Sequence, residues 1–319
     1  MNYIGLSCGF HDASVCVLDN AGKMLYYAPS SQYSNIKADK NLHPAQLLEA
    51  KTYLTDDYEI HYYEKPILKY LRQLRSGQHA NWRSMFTSHM IGKDNHRILD
   101  NKSIHTHLHH RSHAAAGFQT SSYDRATVVV IDAIGEFDTV TIWGAEYIDD
   151  TASYKLLWRQ RYPDSIGLFY SAMTDAIGLQ SLRDEYQLMR LSEQGDKNTK
   201  CHNLLMSSVI DSVNDCTFKH NLHVGIPPEV LLELLLYSDT DIAASTQAIT
   251  ERLINAVMTR AVGYNFSDNL VYTGGVALNS IANQNLQNFF SSHYIPRYPG
   301  DSGSSIGAAA LGLGCKIYL

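Results

Sequence analysis

Twice along this chain an apolar strand runs into a short polar turn and straight back into a second apolar strand, and helical pattern follows each time. Residues 3–6 and 14–18 read as the first pair, joined by Ser7-Cys8-Gly9-Phe10-His11-Asp12, with a third short strand at 24–27. Residues 126–131 and 139–143 read as the second pair, joined by Asp132-Ala133-Ile134-Gly135-Glu136, with a third strand at 154–159. The alternation of apolar and polar positions, closed by turn formers, is what a hairpin requires. Helical periodicity marks 44–54, 67–74 and a segment starting near His109, and later 166–177, 185–192, 241–262, 276–289 and 303–313. Strands then helices, repeated once, predict two related α/β halves facing each other across a cleft. The boundary is expected near 121–125, giving halves 1–124 and 125–319. Two polar hairpin loops facing one cleft suit phosphate binding, because backbone N–H groups converge there.

The 319 residues are 45% hydrophobic and 18% charged, enough for a sizeable core and unlike a disordered chain. A net charge of −6 argues against a protein coated with basic residues for nucleic acid, although a local basic groove stays open. Five scattered cysteines without a CxxC pair suit a reducing compartment and buried thiols. His11 and Asp12 stand where a signal peptide would need an apolar run, and the small-residue stretch 305–314 is far short of the ~20 residues that span a bilayer. The expectation is a cytoplasmic protein with no membrane partner.

Of fifteen histidines, five fall between His105 and His113, leading into an alanine-rich helix. His109 and His113, four apart, share one helix face and can hold one ion. The interval lacks the glutamate that an H-E-x-x-H hydrolase uses as its base. Capping or surface histidines are the plainer alternative. Asp132, after an apolar strand, and Asp301, in Pro299-Gly300-Asp301-Ser302-Gly303 before a helix, could complete a site. Turn former and helix N-cap are their respective alternatives. A second constellation follows the strand 269–272, where Thr273-Gly274-Gly275-Val276-Ala277-Leu278-Asn279 opens a helix. Paired glycines there allow close approach of an anionic ligand, and Asn279 could reach a ribose or an adenine edge. A tight turn with no ligand fits equally well, and the segment is neither a G-x-G-x-x-G fingerprint nor a P-loop.

These pieces together resemble the O-carbamoyltransferase family of the nodulation, cephamycin and tobramycin enzymes. The resemblance rests on Gly9-Phe10-His11-Asp12-Ala13-Ser14, His61-Tyr62-Tyr63-Glu64-Lys65-Pro66, His109-His110-Arg111-Ser112-His113-Ala114-Ala115, Asp132-Ala133-Ile134-Gly135-Glu136, Gly167-Leu168-Phe169-Tyr170-Ser171-Ala172, Asp184-Glu185-Tyr186-Gln187-Leu188-Met189, Gly274-Gly275-Val276-Ala277-Leu278-Asn279 and Gly300-Asp301-Ser302-Gly303. Each motif is moderately specific, and their order spans nearly the whole chain. The resemblance implies a duplicated actin/sugar-kinase-like (ASKHA) α/β fold with a central cleft. It implies His109, His113, Asp132 and Asp301 as ligands of a divalent metal, iron first, with manganese, magnesium or zinc as alternatives. It places Gly274, Gly275 and Asn279 at the adenosine, Gly135 and Glu136 at the phosphates, and His11 beside the carbamoyl group. The donor it implies is carbamoyl phosphate, carried with ATP as a carbamoyl-adenylate.

Departures from the family pattern matter as well. The usual Glu-Glu-Arg segment is Ser30-Ser31-Gln32, a usual lysine is Gln187 and a usual glycine is Arg190. The C-terminal domain that makes carbamoyl-adenylate in the family is expected to be absent, so a separate partner protein would supply the adenylate, or carbamoyl phosphate would be used differently. For chemistry, His11 is the best-placed base, with Asp12 beside it and Asp184 or Glu185 as candidates for positioning the acceptor.

Residues 65–97 carry Lys65, Lys69, Arg72, Arg75, Arg83, Lys93 and Arg97 against Asp94, with Trp82 and Phe86 among them. That mixture suits a nucleic-acid or phosphorylated acceptor, such as a hydroxymethylated pyrimidine of viral DNA modified in a host cytoplasm. A sugar or antibiotic hydroxyl is the other acceptor. Two further classes share the fold: a tRNA threonylcarbamoyl-transfer protein, and a non-catalytic ATP-binding actin-like protein.

Overall fold

The first five strands form a mixed sheet that the second half of the chain builds again. The computed structural model describes residues 1–196 and 200–318. In the first sheet β1 (Asn2–Ser7), β2 (Ser14–Asp19), β3 (Met24–Pro29), β4 (Tyr58–Tyr62) and β5 (Ile104–Thr106) lie in the order β3-β2-β1-β4-β5. β1 pairs antiparallel with β2 and parallel with β4, which pairs parallel with β5. The second sheet takes β6 (Arg125–Ile131), β7 (Asp138–Ile148) and β8 (Thr151–Arg161). After a small ribbon of β9 (Ile210–Ser212) and β10 (Thr217–Phe218), β11 (Asn269–Thr273) and β12 (Ser292–Tyr294) complete it. Its order is β12-β11-β6-β7-β8, with β7 antiparallel and β11 parallel to β6. Strand for strand this repeats the first sheet, so the fold is a duplicated α/β one.

The central strands are covered on both faces. All six residues of β1 are buried, as is Ala126–Ile131 in β6. A strand buried on both sides reads as a continuous apolar run, and Ala-Thr-Val-Val-Val-Ile is one. Ile4, Leu6, Val129 and Ile131 are fully enclosed, each worth about 1.5–3 kcal/mol of burial.

Two helices tie the halves together. The helix His109–Phe118 follows β5 and packs on β6 and β11 of the other sheet, while Ser304–Leu313 follows β12 and packs on β1 and β2. The two helices touch closely where a Cβ on Gly307 would collide with the Ser112 carbonyl oxygen. This exchange brings the start of each helix to the same end of the cleft.

One expectation fails. The helix predicted at 276–289 is a 3-10 turn Gly275–Leu278, a one-turn helix Ser280–Asn283 and a second turn Leu286–Asn288. Gly274 stands at φ 95 and Asn279 at φ −76, ψ 88, neither of them helical, and the Asn279 side chain instead accepts from Ala282 N to start a new turn. Short strands β4, β5 and β12 carry polar or charged residues and lie outside the predicted set. Among the described residues no helix is long and apolar enough to cross a membrane. Cys8, Cys16, Cys201 and Cys216 are buried free thiols and Cys315 is partly exposed.

β4 carries a pH-sensitive element. His61 is buried against the Ser304–Leu313 helix, and its Nδ1 lies 3.0 Å from His107 Nε2 and its Nε2 3.2 Å from Glu59. Neutral rings satisfy this chain, with His107 donating to His61 and His61 donating to Glu59. Burial, then the charge of His105, pulls the His61 pKa down to about 4. Between that value and the ordinary 6.5 the unfolded chain binds a proton that the folded chain refuses, so stability falls as pH drops through this window. The loss from His61 alone is on the order of 3 kcal/mol. Urea midpoints at pH 7.0, 5.5 and 4.5 measure it. His61→Asn, which cannot titrate, is expected to flatten the slope; an equally steep slope in that variant refutes the assignment.

Candidate metal centre and active-site cleft

His109 begins its helix because Leu108 is extended and the buried Glu136 carboxylate takes up the exposed His109 N–H at 3.1 Å. The same carboxylate accepts from Lys65 N at 2.8 Å, so Glu136 fixes both the histidine helix and the Glu64-Lys65-Pro66 segment. One turn on, His113 faces the same way as His109, and their Nε2 atoms are 3.0 Å apart. Asp132 ends β6 at the hairpin turn, where its Oδ1 accepts from Ala133 N at 2.8 Å and Gly275 N at 3.3 Å. Asp301 heads the turn that opens the Ser304–Leu313 helix.

Asp132 Oδ2 lies 3.1 Å from His109 Nε2 and 3.2 Å from His113 Nε2, and Asp301 Oδ1 lies 3.3 and 3.2 Å from the same two atoms. All four donor atoms fall within 4.8 Å of one another, and all four residues are buried. Four ligands at ~2.1 Å from a divalent ion have edges of about 3.0 Å at right angles and about 3.4 Å in a tetrahedron. The His–His separation and the four His–Asp separations fall in that range, so the residues fit a metal.

Electrostatics points the same way. Burial opposes charge on Asp132, yet the hydrogen bonds from His109 and His113 hold its carboxyl well below the usual range. Asp301 is lowered likewise, against burial, by His11 and His109. The same contacts raise His109, against burial, through Asp301 and Asp132. A buried pair of carboxylates demands positive charge. Protonating both imidazoles would set two cations face to face at 3.0 Å, whereas one divalent cation satisfies four lone pairs. The Nδ1 atoms of both rings lack a hydrogen-bond partner, so packing, as of Tyr63 on the His109 ring at 5.2 Å, sets their orientation. His110 turns away and bonds Thr141 at 3.0 Å.

His11 stands beside this cluster in the β1–β2 turn. Its Nε2 lies 3.5 Å from Asp301 Oδ2 and its Nδ1 donates to Asp12 Oδ2 at 2.8 Å. Burial disfavours its charge, but Asp301 and then Asp12 outweigh that and raise its pKa to about 9. Asp12 itself holds a left-handed φ of 50 in this turn.

Two cavities border the cluster. The smaller, about 280 Å³, is lined by His11, Asp12, Asp132, Glu185, Gly275 and Asn279 together with Tyr170, Tyr186 and Met189. The larger, about 390 Å³, reaches His109 and Asp301 and includes Gly135, Glu64, Lys69, Arg72, Gln78 and His223. Glu185 accepts from Ser171 Oγ at 3.0 Å and Leu182 N at 2.6 Å. Asp184 lies outside both linings, accepts from Gln180 N at 3.2 Å and stands 4.0 Å from Lys37. Asn279 exchanges amide hydrogen bonds with Gln247 at 2.9 and 3.0 Å, and Tyr170 donates to Gln247 at 3.0 Å. Gln247 and Tyr170 carry no site signal of their own in the sequence, and Lys69 and Arg72 stand out there only as two bases of the 65–97 stretch; nothing local marks an Arg or Lys on an amphipathic helix as inward-facing.

The chain matches the family described as Carbamoyltransferase N-terminus over residues 49–310. It is similar to the uncharacterized protein sll1178 of Synechocystis sp., 27% identical across 96% of this chain and 56% of that protein. It is also similar to the nodulation protein NolNO of Sinorhizobium fredii, 25% identical across 64% of this chain and 30% of that one. The chain thus spans about half or less of the curated relatives it matches. Among solved structures, the activator of 2-hydroxyisocaproyl-CoA dehydratase from Clostridium difficile, with bound ADPNP, superposes with a TM-score of 0.52 at 14% identity. That likeness covers 98% of this chain and 94% of the activator, and it fixes the fold as the duplicated actin-like one.

Proposed function

We propose that this chain, which belongs to the carbamoyltransferase N-terminus family, moves a carbamoyl group onto an acceptor hydroxyl in the cleft where His109, His113, Asp132 and Asp301 meet. The observation that carries the reading is that this four-donor cluster borders two cavities, so donor and acceptor can approach one point from separate compartments.

The smaller cavity suits the donor, a carbamoyl-adenylate formed from ATP and carbamoyl phosphate by this chain or by a separate partner protein. Gly275 and Asn279 on its wall, with Gly274 next to them, border the adenosine; Gly135, which lines the larger cavity, marks the side of the cluster where the phosphates would lie, and Glu136 anchors the backbone around it. The related fold of the clostridial activator holding ADPNP supports a nucleotide in this cleft. A divalent cation on the four ligands, with iron the first choice and manganese, magnesium or zinc the others, supplies charge neutralisation and polarisation of a bound oxygen.

The remaining work belongs to the side chains. Asp12 accepts from His11 Nδ1 and so aims Nε2 into the cleft. The acceptor oxygen bonds to the carbamoyl carbon, the bond from that carbon to the adenylate phosphate oxygen breaks, AMP leaves, and the hydroxyl proton passes to His11 Nε2. Glu185 faces the smaller cavity but is held by Ser171 and Leu182, which line both cavities, so it would position the acceptor where the two meet. Mass spectrometry of acceptors incubated with protein, ATP and carbamoyl phosphate tests the whole reading, and one added carbamoyl group is the expected product. Hydrolysis of ATP with no carbamoylated acceptor counts against it.

For the acceptor we favour a hydroxymethylated pyrimidine in DNA. The helix Pro66–Arg75 lines the larger cavity on one side, and just beyond it Arg75, Arg83, Trp82 and Phe86 are exposed, the two rings 6.2 Å apart edge to face. Exposed rings among arginines offer bases a stacking platform. Binding to single-stranded DNA is expected to weaken steeply between 50 and about 200 mM salt. Arg75→Ala with Arg83→Ala should lower affinity and shallow the salt slope by about 1–2 units. Unchanged binding in that double variant favours a free sugar or antibiotic hydroxyl, a reading that the small enclosed volume of about 390 Å³ also suits.

A further inference from the structure

The basic segment that sequence reading treats as one surface divides in two. Lys65, Arg75, Arg83, Lys93 and Arg97 are exposed, but Lys69 and Arg72 turn inward on the other face of the Pro66–Arg75 helix. Lys69 has a partner, Glu64, at 2.8 Å. Arg72 does not. It is 7% exposed, and among the described residues no carboxylate lies within 4.0 Å of it. Among the described residues its one side-chain hydrogen bond is the 3.2 Å contact from Nη1 to Gln78 Oε1, and its buried Nε has no partner there. The Tyr162 ring, 6.0 Å away, covers one face. A guanidinium held this deep in a cavity wall and left without an anion is costly, and proteins rarely keep one unless something else completes it.

What completes it is set by where it points. Arg72 lines the larger cavity with Lys69, Gln78 and His223, and that same cavity ends on His109 and Asp301. Gln78 is itself held in place, its Nε2 lying 2.8 Å from His223 Nε2. The Arg72 fork, steadied on one side by Gln78 Oε1, shares the cavity wall with the Lys69 ammonium, and a phosphate with its several acceptor oxygens is the kind of group such a wall takes.

We infer that the larger cavity is the acceptor pocket and that Arg72 binds a phosphate group of the acceptor, so the substrate is a phosphorylated alcohol. This deepens the carbamoyl-transfer reading and rests on it for the word acceptor. The phosphate can belong to a free mononucleotide or to a DNA strand whose target nucleotide enters the cavity. Of the three acids lining the cavity, Asp301 belongs to the four-donor cluster, Asp175 accepts from Ser181 N at 2.8 Å, and Glu64 is neutralised by Lys69, which leaves Arg72 for the ligand.

The test uses calorimetry on the intact protein with inorganic phosphate, 5-hydroxymethyl-2′-deoxycytidine, its 5′-monophosphate, and a short oligonucleotide bearing one such base. The monophosphate should bind at least ~100-fold more tightly than the nucleoside, the usual weight of a charge-assisted bidentate contact. Inorganic phosphate should compete with it while chloride does not. Arg72→Met should erase the preference for the monophosphate and Arg72→Lys should restore part of it, with ATP binding unchanged in both. Equal affinity for the nucleoside and its phosphate overturns the inference, as does a preference that survives Arg72→Met. So does loss of carbamoyl phosphate binding alone in Arg72→Met, which makes the pocket a donor site. With that preference in place, a mononucleotide that binds as tightly as the oligonucleotide identifies the free source, and an oligonucleotide that binds more tightly still identifies the polymer. Phosphate binding at Arg72 without any carbamoylated product sinks the transferase reading and leaves the anion pocket standing. Transfer to an uncharged alcohol, indifferent to Arg72, does the reverse.

Discussion

Purified His113→Ala protein is expected to contain almost none of the divalent metal that the unaltered protein carries in one-to-one ratio. His113 Nε2 sits within 3.2 Å of a carboxylate oxygen from each of Asp132 and Asp301, and is itself fully buried. Truncation removes one of four donors and leaves two carboxylates facing a void. Changes to groups that merely orient a ligand cost roughly 10–100-fold in metal affinity, so loss of a ligand itself should cost more. His110→Ala is the control: it lies on the same helix, yet it turns to Thr141 and should leave the metal content unchanged. Elemental analysis reads both. Thermal unfolding gives an independent readout, because a ligand that binds only the folded state adds about 4 kcal/mol at 1,000 times its Kd. Added metal should raise the melting temperature of the unaltered protein and of His110→Ala, and leave His113→Ala where it was. A normal metal content in His113→Ala, or equal loss in both variants, removes the assignment.

That convergence was largely legible before the fold was seen, and the reason is local. His109 and His113 announce themselves by spacing, and Asp132 and Asp301 by standing where a strand or a glycine turn meets the cleft. What sequence cannot carry is which helix packs on which sheet. The exchange of the His109–Phe118 and Ser304–Leu313 helices between the sheets is what joins Asp301 to the histidines, and it shows in the chain only as small residues such as Gly307. The same limit explains the misses. Arg72 looks like one more solvated base on an amphipathic helix, and only tertiary packing shows its head enclosed. Asn279 looks free to meet a ligand, but its amide partner Gln247 comes from a helix 32 residues earlier. The apolar spacing after Gly274 predicts a continuous helix, but the positive φ of Gly274 and the Asn279 side-chain cap break it into short turns. Asp184, paired in sequence with Glu185, lies near Lys37 rather than on a cavity, since it is the non-helical cap at φ −119, ψ 10 before the helix that Glu185 begins.

Replacing His11 by asparagine is expected to slow carbamoyl transfer by ~10²–10⁴-fold, the usual worth of general acid–base catalysis, while metal content and nucleotide affinity stay normal. The geometry separates the two roles. His11 Nε2 is 3.5 Å from Asp301 Oδ2 but belongs to the β1–β2 turn, not to the four-donor cluster, so its loss leaves all four ligands in place. Asparagine keeps a polar group of similar reach for Asp12, which limits damage to the loop. The pH profile gives the sign. Burial works against a proton on His11, but Asp301 and Asp12 overcome it and lift the ring to about 9, so the ring carries a proton at neutral pH while Asp301 is free of a cation. A protonated ring cannot accept the hydroxyl proton, so the rate should climb as pH rises through the His11 pKa and fall below it. Engaging Asp301 with the metal withdraws the larger of the two attractions and moves that limb to lower pH. The asparagine variant should lose the limb altogether and show a flat profile over the same range. If instead it transfers at close to the unaltered rate with saturating substrates, His11 only binds, and the base passes to Glu185 or Asp12, the remaining carboxylates on the donor cavity outside the metal cluster.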